Sequence, residues 1–246
     1  MELSKSKFNI FASLGSAKMR KKHRLFTVEG EKSVSDTINS FDVEAIVCVK
    51  GNIFDFSLGH GPVYEVSTDE MRRLSNLTTP SSIMAVYKLP ESDHSAVKHI
   101  GNGLYVLLDG IQDPGNLGTI VRTCHWFGIF TIFASKDTVD IYNPKTVQST
   151  MGSISKVEIV YCDLEKLLED NPDMPVYGTF LDGKNIFATK LEKRGFIVMG
   201  NEGKGISDKL RKHISQPLFI PPATSDHGES LNVAVATAIT IAQFQK

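Results

Sequence analysis

The stretch from 108 to 128, LDGIQDPGNLGTIVRTCHWFG, restricts what this chain can become more than any other. The apolar residues Leu104, Tyr105, Val106, Leu107 and Leu108 run into a turn of Asp, Pro, Gly and Asn. Leu117, Ile120, Val121 and Cys124 then fall at helical spacing. That order reads strand, loop, helix. The loop carries Asn116, and the helix carries Arg122 on a segment whose other face is apolar. A guanidinium so placed suits a phosphate or carboxylate partner.

Strand and helix then alternate. Apolar runs over 130–133, 157–160, 176–180, 196–199 and 218–220 read as strands, with helices around 144–151 and 163–168. The runs lack strict alternation, as expected when helices cover both faces of a sheet, so the fold class is α/β with a mostly parallel sheet. The last segment, SLNVAVATAITIAQF over 230–244, reads as a helix that Ser230 can cap. It is apolar on nearly every side and needs burial inside its domain or against a partner.

Before position 104 the pattern is a smaller α/β unit. A helix carries Val34, Ile38 and Phe41, strands run over 44–49, 63–66 and 83–87, and Ser67 or Thr68 caps a helix reaching Leu74. Pro90, Asp93, His94, Gly101 and Gly103 interrupt the apolar pattern, which places a small domain at 1–89, a linker at 90–103 and the larger domain at 104–246.

With 27 Lys and Arg against 28 Asp and Glu, affinity for nucleic acid has to come from local patches. The segment KMRKKHR supplies one: Lys18, Arg20, Lys21, Lys22 and Arg24 stand together without an acidic neighbour, a pattern that suits RNA phosphates. Phe8, Phe11 and Phe26 nearby read as core residues rather than base-stacking ones. Cys48, Cys124 and Cys162 are odd in number and far apart, and no His pair has ligand spacing. No disulfide framework and no metal are therefore expected, and a reducing cytoplasm fits best. No stretch approaches the roughly 18 uninterrupted apolar residues of a membrane span, so a soluble protein is expected.

Two further loops carry chemistry. GNEGKGI, from Gly200 to Ile206, follows a strand; its glycines permit a tight turn and close approach to a ligand, and Glu202 sits where open α/β sheets bind ligands. Its spacing matches neither a dinucleotide fingerprint nor a P-loop. The second, IPPATSDHGESLN over 220–232, joins a buried strand to a buried helix. Its Ser230 and Asn232 suit either a small polar ligand or the capping of that helix. His227 and Glu229 within it read as exposed loop residues.

NLGTIVR (Asn116 to Arg122), GNEGKGI and the IP followed by SLNVAVA, each after an expected strand, resemble the three motifs of the SpoU or TrmH-type RNA ribose 2′-O-methyltransferases of the SPOUT superfamily. RLFTVEGEK and TPSSIMAVYK are similar to the small ribosomal-protein-like substrate-binding domain that precedes the catalytic domain in many members. The link from Pro222 to Glu229 is longer and more polar than the family's usual one and lacks its Met.

The resemblance implies a deep trefoil knot, an exception to the rule against knotted chains, and a homodimer through the C-terminal domain. It implies S-adenosylmethionine bound at Gly200, Ile220 and Leu231, with Phe180 and Leu181 completing the pocket. Asn116, Arg122, Glu202, Ser230 and Asn232 match the catalytic motif positions. Arg122 would position the ribose and its phosphate, since a guanidinium is a poor base. Asn116 and Asn232 would orient the loops, Glu202 would fix Arg122 or the partner loop, and Ser230 is a substrate contact or a cap. The implied substrate is ribosomal RNA, with transfer RNA second. The alternative is an RNA-binding or assembly protein that keeps the fold without efficient catalysis.

Overall fold

The computed structural model describes residues 1–54, 61–91, 97, 100–224 and 230–246. His227, Glu229 and most of the polar loop before Ser230 lie outside the described residues, as do Asp93 and His94. The chain divides into two compact units, one of Met1–Glu91 with Asp140–Lys156 and one of Ser92–Val139 with Val157–Lys246.

In the first unit, α1 (Lys5–Ala12) and α2 (Ala17–His23) precede β1 (Leu25–Glu29), α3 (Glu31–Thr37), β2 (Val43–Val49), β3 (Val63–Val66), α4 (Thr68–Leu74) and β4 (Ile83–Lys88). Among the described residues the strands form a four-stranded sheet in the order β1-β4-β2-β3. Its β2–β3 pair is parallel, while β4 runs antiparallel to both neighbours. Ser67 caps α4, accepting from the Glu70 N–H while the Glu70 carboxylate accepts from the Ser67 N–H, a reciprocal pair that fixes the helix start. Phe11 and Phe26 are buried in the core, as expected.

Arg20 departs from expectation. It is 2 % exposed, and its guanidinium donates to the carbonyls of Leu14 and Gly15 at 3.0 and 2.9 Å and to the Asp140 carboxylate at 2.6 Å. All of its hydrogen bonding goes into ordering its own unit, so it does not belong to an RNA-facing set. Lys18, Lys21, Lys22 and Arg24 are exposed. Arg24 takes the left-handed conformation that ends α2 (φ 56°), and its guanidinium holds the carbonyls of Leu89 and Pro90.

The second unit runs β5 (Leu104–Asp109), α5 (Pro114–Trp126), β6 (Thr131–Ala134), then, after α6 (Pro144–Thr150) of the first unit, β7 (Glu158–Tyr161), α7 (Leu164–Glu169), β8 (Val176–Asn185), β9 (Gly195–Gly200), α8 (Asp208–Arg211), β10 (Gln216–Phe219) and α9 (Val233–Gln243). Its sheet has six strands in the order β10-β8-β9-β5-β6-β7, with every pair parallel. Consecutive residues Val106, Leu107 and Leu108 are all fully buried, as are Phe196, Ile197 and Val198, which requires cover on both faces. The α/β class and the parallel sheet are therefore as the apolar runs predict.

The chain grows from β5 outward to β6 and β7, then reverses to the other side of β5. The reversal falls between β5 and β9, where Asp109 pairs with Gly200 at the carboxyl ends of both strands. Open parallel sheets bind ligands at such a point.

Four elements differ from the sequence expectations, the first being α3, which ends at Thr37 and leaves Phe41 outside the helix. Asn116 lies in the first turn of α5 rather than in the loop, because Asp113 caps the helix by accepting from the Asn116 N–H at 2.8 Å and Pro114 suits the first helical position. The last helix starts at Val233 and its cap is Asn232, which accepts from the N–H groups of Ala234 and Val235; Ser230 is not the cap. Strand β8 extends beyond 180 to Asn185, and its ladder to β10 steps from Gly178 to Lys184, so residues 179–183 leave the pairing.

Candidate active site

The carboxyl ends of β5 and β9 are stitched together by side chains. The Asp109 carboxylate, 7 % exposed, accepts from the Ser207 N–H at 2.7 Å. The Asn201 side chain donates to the Gly110 carbonyl at 2.7 Å and accepts from the N–H groups of Gly203 and Lys204, both at 3.0 Å. Backbone bonds in both directions between Asn201 and Gly205 close the loop. Sequence reasoning passed over Asp109 and Asn201; the available signal was an Asx residue directly before or after a turn glycine at a strand end.

Beside this loop three predicted residues meet. The Asn116 side chain donates to Glu202 Oε1 at 2.9 Å and accepts from Asn232 Nδ2 at 2.9 Å. Residues from α5, from the loop after β9 and from the start of α9 thus form one chain of hydrogen bonds. Asn232 has two tasks, since its oxygen caps α9 while its amide reaches Asn116. Arg122 lies farther along α5, exposed and with no hydrogen-bond or ion-pair partner among the described residues. It forms no ion pair with Glu202, whose carboxylate accepts from Asn116 instead.

A cavity of about 510 Å³ adjoins the loop, and its lining includes Phe180, Leu181, Gly200, Ile220 and Leu231, the five residues expected at the methyl donor, together with Glu202 and Ser230. Phe180 and Leu181 reach it because they fall within the excursion of β8 from its ladder. The volume lies in the range of small-molecule pockets. Its lining joins apolar residues to the loop of 200–206, and Leu181 and Leu231 are 72 % and 49 % exposed, apolar surface that a bound ligand would cover. A molecule with a flat ring and polar edges, such as S-adenosylmethionine, fits that lining.

The cysteines offer no competing chemistry. Burial pushes the thiols of Cys48 and Cys124 up and that of Cys162 up to about 11, which keeps them protonated and poorly nucleophilic. Elsewhere in this unit, Glu165, Glu169 and His213 bring potential ligand atoms within 4.8 Å of one another, with the Lys212 ammonium already on Glu165. That ion pair holds the Glu165 carboxyl below the usual carboxylate range.

Residues 103–242 match the SpoU rRNA methylase family, which is more than half of the chain. The chain belongs to the SpoU rRNA methylase family. Residues 7–85 of this SpoU methylase match the MRM3-like substrate binding domain. It is 30% identical over 234 residues to the 23S rRNA (guanosine(2553)-2′-O)-methyltransferase RlmP of Bacillus subtilis, covering 93% of this chain and 91% of that one. Among solved structures, a putative RNA methyltransferase of the TrmH family from Porphyromonas gingivalis superposes with a TM-score of 0.88 at 34% identity, covering 99% of this chain and 98% of that one. An AdoMet-bound rRNA methyltransferase from Sinorhizobium meliloti gives a TM-score of 0.86 at 25% identity, covering 100% and 97%. The resemblance carried by the three motifs is thereby established, and with it the SPOUT-type α/β fold class and the methyltransferase class of the SpoU methylase.

Proposed function

We propose that this protein transfers the methyl group of S-adenosylmethionine to a ribose 2′-hydroxyl of ribosomal RNA. The observation that carries this is the hydrogen-bonded chain Glu202–Asn116–Asn232 beside a ligand-sized cavity at the strand-order reversal. Ribosomal RNA is preferred to transfer RNA because RlmP of Bacillus subtilis, aligned over 93% of this chain, is named for 23S rRNA.

S-adenosylmethionine, when bound, supplies an electrophilic methyl group. Gly200, Ile220, Leu231, Phe180 and Leu181 would hold it. The Asn116 carboxamide, fixed from both sides, sets the spacing between the loop of Glu202 and the start of α9, so the cavity and the helix carrying Arg122 keep one geometry. Arg122, exposed and without a hydrogen-bond or ion-pair partner among the described residues, would meet the phosphate beside the target ribose and hold the 2′-hydroxyl in line. Ser230, a lining residue rather than a cap, is available to the substrate.

The same reading assigns 1–89 to RNA binding, with 90–103 as linker and 104–246 as the knotted catalytic domain. Support for a knot is that α9 returns from edge strand β10 to pack on α5 and β9 in mid-sheet. Homodimerisation through this domain is supported by apolar surface left uncovered, with Val235 of α9 49 % and Trp126 of α5 84 % exposed. Among the described residues no helix is long and apolar enough to cross a membrane. Cytoplasmic residence accords with three free cysteines, and no metal is assigned a role.

Calorimetry with S-adenosylmethionine and mapping of ribose methylation in total RNA with and without the protein test the proposal. Donor binding and a new 2′-O-methyl site are expected; absent binding at millimolar donor would favour an RNA-binding or assembly role. Arg122→Ala should keep donor binding and lose transfer, and substantial residual transfer would remove Arg122 from the reaction.

A further inference from the structure

A second concavity, of about 790 Å³, opens on the first unit. It lies at the start of β1 (Leu25), at the second residue of β2 (Glu44) and at the end of β4 (Lys88), flanked by Ile10 of α1 and by His23 and Arg24 at the end of α2. Its charges cancel: Lys7, Arg24 and Lys88 share the lining with Asp42, Glu44 and Glu91. Carboxylates at close range repel a phosphate, so this groove is not a phosphate cradle. It suits an uncharged group that donates hydrogen bonds.

The partners already in place leave two carboxylates open among the described residues, Asp42 and Glu91, and of these Asp42 is the one next to an aromatic ring. Lys7 stands 3.8 Å from Glu44, and Arg24 is engaged with the carbonyls of Leu89 and Pro90. The Asp42 carboxylate is exposed and has no hydrogen-bond or ion-pair partner among the described residues. Next to it, half-buried Phe41 is held by Phe26 and Tyr87, with ring centroids 5.2 and 5.5 Å away, so it presents a rigid apolar wall. Lys18, Lys21 and Lys22, exposed and unpartnered among the described residues, lie on the helix that runs into His23 and Arg24. Cations therefore precede the groove on the helix that ends at its rim, and the open carboxylate of Asp42 and the ring of Phe41 belong to its lining.

We propose that this groove is a nucleotide subsite that holds one unpaired guanine of RNA. The Asp42 carboxylate accepts from the N1–H and the 2-amino group, Phe41 packs against the base, and Lys18, Lys21 and Lys22 follow the flanking phosphates. Guanine is chosen because it alone presents two adjacent donors on its pairing edge, the pattern a carboxylate meets with both oxygens. Adenine and cytosine set an acceptor nitrogen beside their amino group, and uracil has a single donor flanked by carbonyls. The inference rests on the RNA-methylating function above, which supplies RNA as the ligand.

The test uses the full chain and short fluorescent oligouridylates carrying one central guanosine, inosine or adenosine, with binding followed by anisotropy at low salt. The guanosine oligomer should bind about tenfold tighter than the adenosine one, the scale of one bidentate base contact, and inosine, which lacks the 2-amino group, should lose most of that gain. Asp42→Asn should bring the three within about twofold, whereas Lys21→Ala with Lys22→Ala should weaken all three alike. Equal affinities for the wild type, or a guanosine preference that survives Asp42→Asn, would overturn the proposal. Donor calorimetry and methyl transfer to total RNA on the same preparations separate the two ideas. Transfer without guanosine preference sinks the groove alone, and guanosine preference without donor binding supports the groove while sinking the enzymatic reading.

Discussion

Gly200→Ala tests the construction of the donor cavity with one methyl group. A Cβ at this position would stand 2.3 Å from both the Gly205 carbonyl carbon and the Ile206 nitrogen, and 2.6 Å from the Gly205 oxygen. All three are backbone atoms, so no side chain can swing aside. Restoring a contact of about 3.5 Å requires the loop to withdraw by roughly 1 Å. That loop is held by the Asn201–Gly205 pair at 3.0 and 2.8 Å. Losing those bonds at about 1 kcal/mol each and overpacking the strand end by about 1–3 kcal/mol gives roughly 3–5 kcal/mol. A domain with about 5–15 kcal/mol to draw on can stay folded through such a loss. The displaced loop is the cavity wall, so if about 2 kcal/mol of the distortion falls on donor binding, affinity drops roughly 30-fold. Titration calorimetry with S-adenosylmethionine reads the affinity, and thermal melting reads the fold. Donor affinity within about threefold of wild type, with an unchanged melting temperature, would refute the reasoning.

Two further outcomes are expected from the first unit. Arg20→Met should lower its stability by about 2–3 kcal/mol in chemical denaturation, because the carbonyls of Leu14 and Gly15 and the Asp140 carboxylate lose their donor; an unchanged midpoint would mean that the pair contributes nothing net. Tyr87, bonded to Thr37 and buried, has its phenol pushed up to about 12. Its stability contribution is complete below the ordinary value near 10 and is lost as pH rises toward about 12, so unfolding should become easier across that window, and Tyr87→Phe should flatten the slope.

Much of the second unit was legible in its sequence because buried parallel strands write themselves as unbroken apolar runs, Val106 to Leu108 and Phe196 to Val198 being examples. The end of β8 was not, since Asp182, Gly183, Lys184 and Asn185 carry no apolar signal. Lys184 and Asn185 are held there by pairing with β10, and just before them Gly183 approaches so closely that a Cβ on it would meet the Leu218 backbone. The basic run predicted cations but not their direction: the same helix that exposes Lys21 and Lys22 turns Arg20 inward, onto the carbonyls of Leu14 and Gly15 and onto Asp140, which lies far along the chain. The candidate site was legible as three motifs. That Asn116 would lie between Glu202 and Asn232 was not, because no local rule connects residues so distant in sequence. Asn232 rather than Ser230 caps the last helix because the residue immediately before Val233 is the one whose oxygen reaches the free N–H groups of the first turn.

The departure of residues 179–183 from the β8 ladder has an evolutionary reading. Pairing with β10 resumes at Lys184 after it stops at Gly178, so the segment between them can gain or lose residues without sliding either strand by a pleat and turning its core side chains outward. Phe180 and Leu181 ride on that segment and face the cavity. The protein therefore carries a wall of its ligand pocket whose length and side chains can drift independently of the sheet, so that descendants of one scaffold can reshape what they accept while leaving the folding pattern untouched.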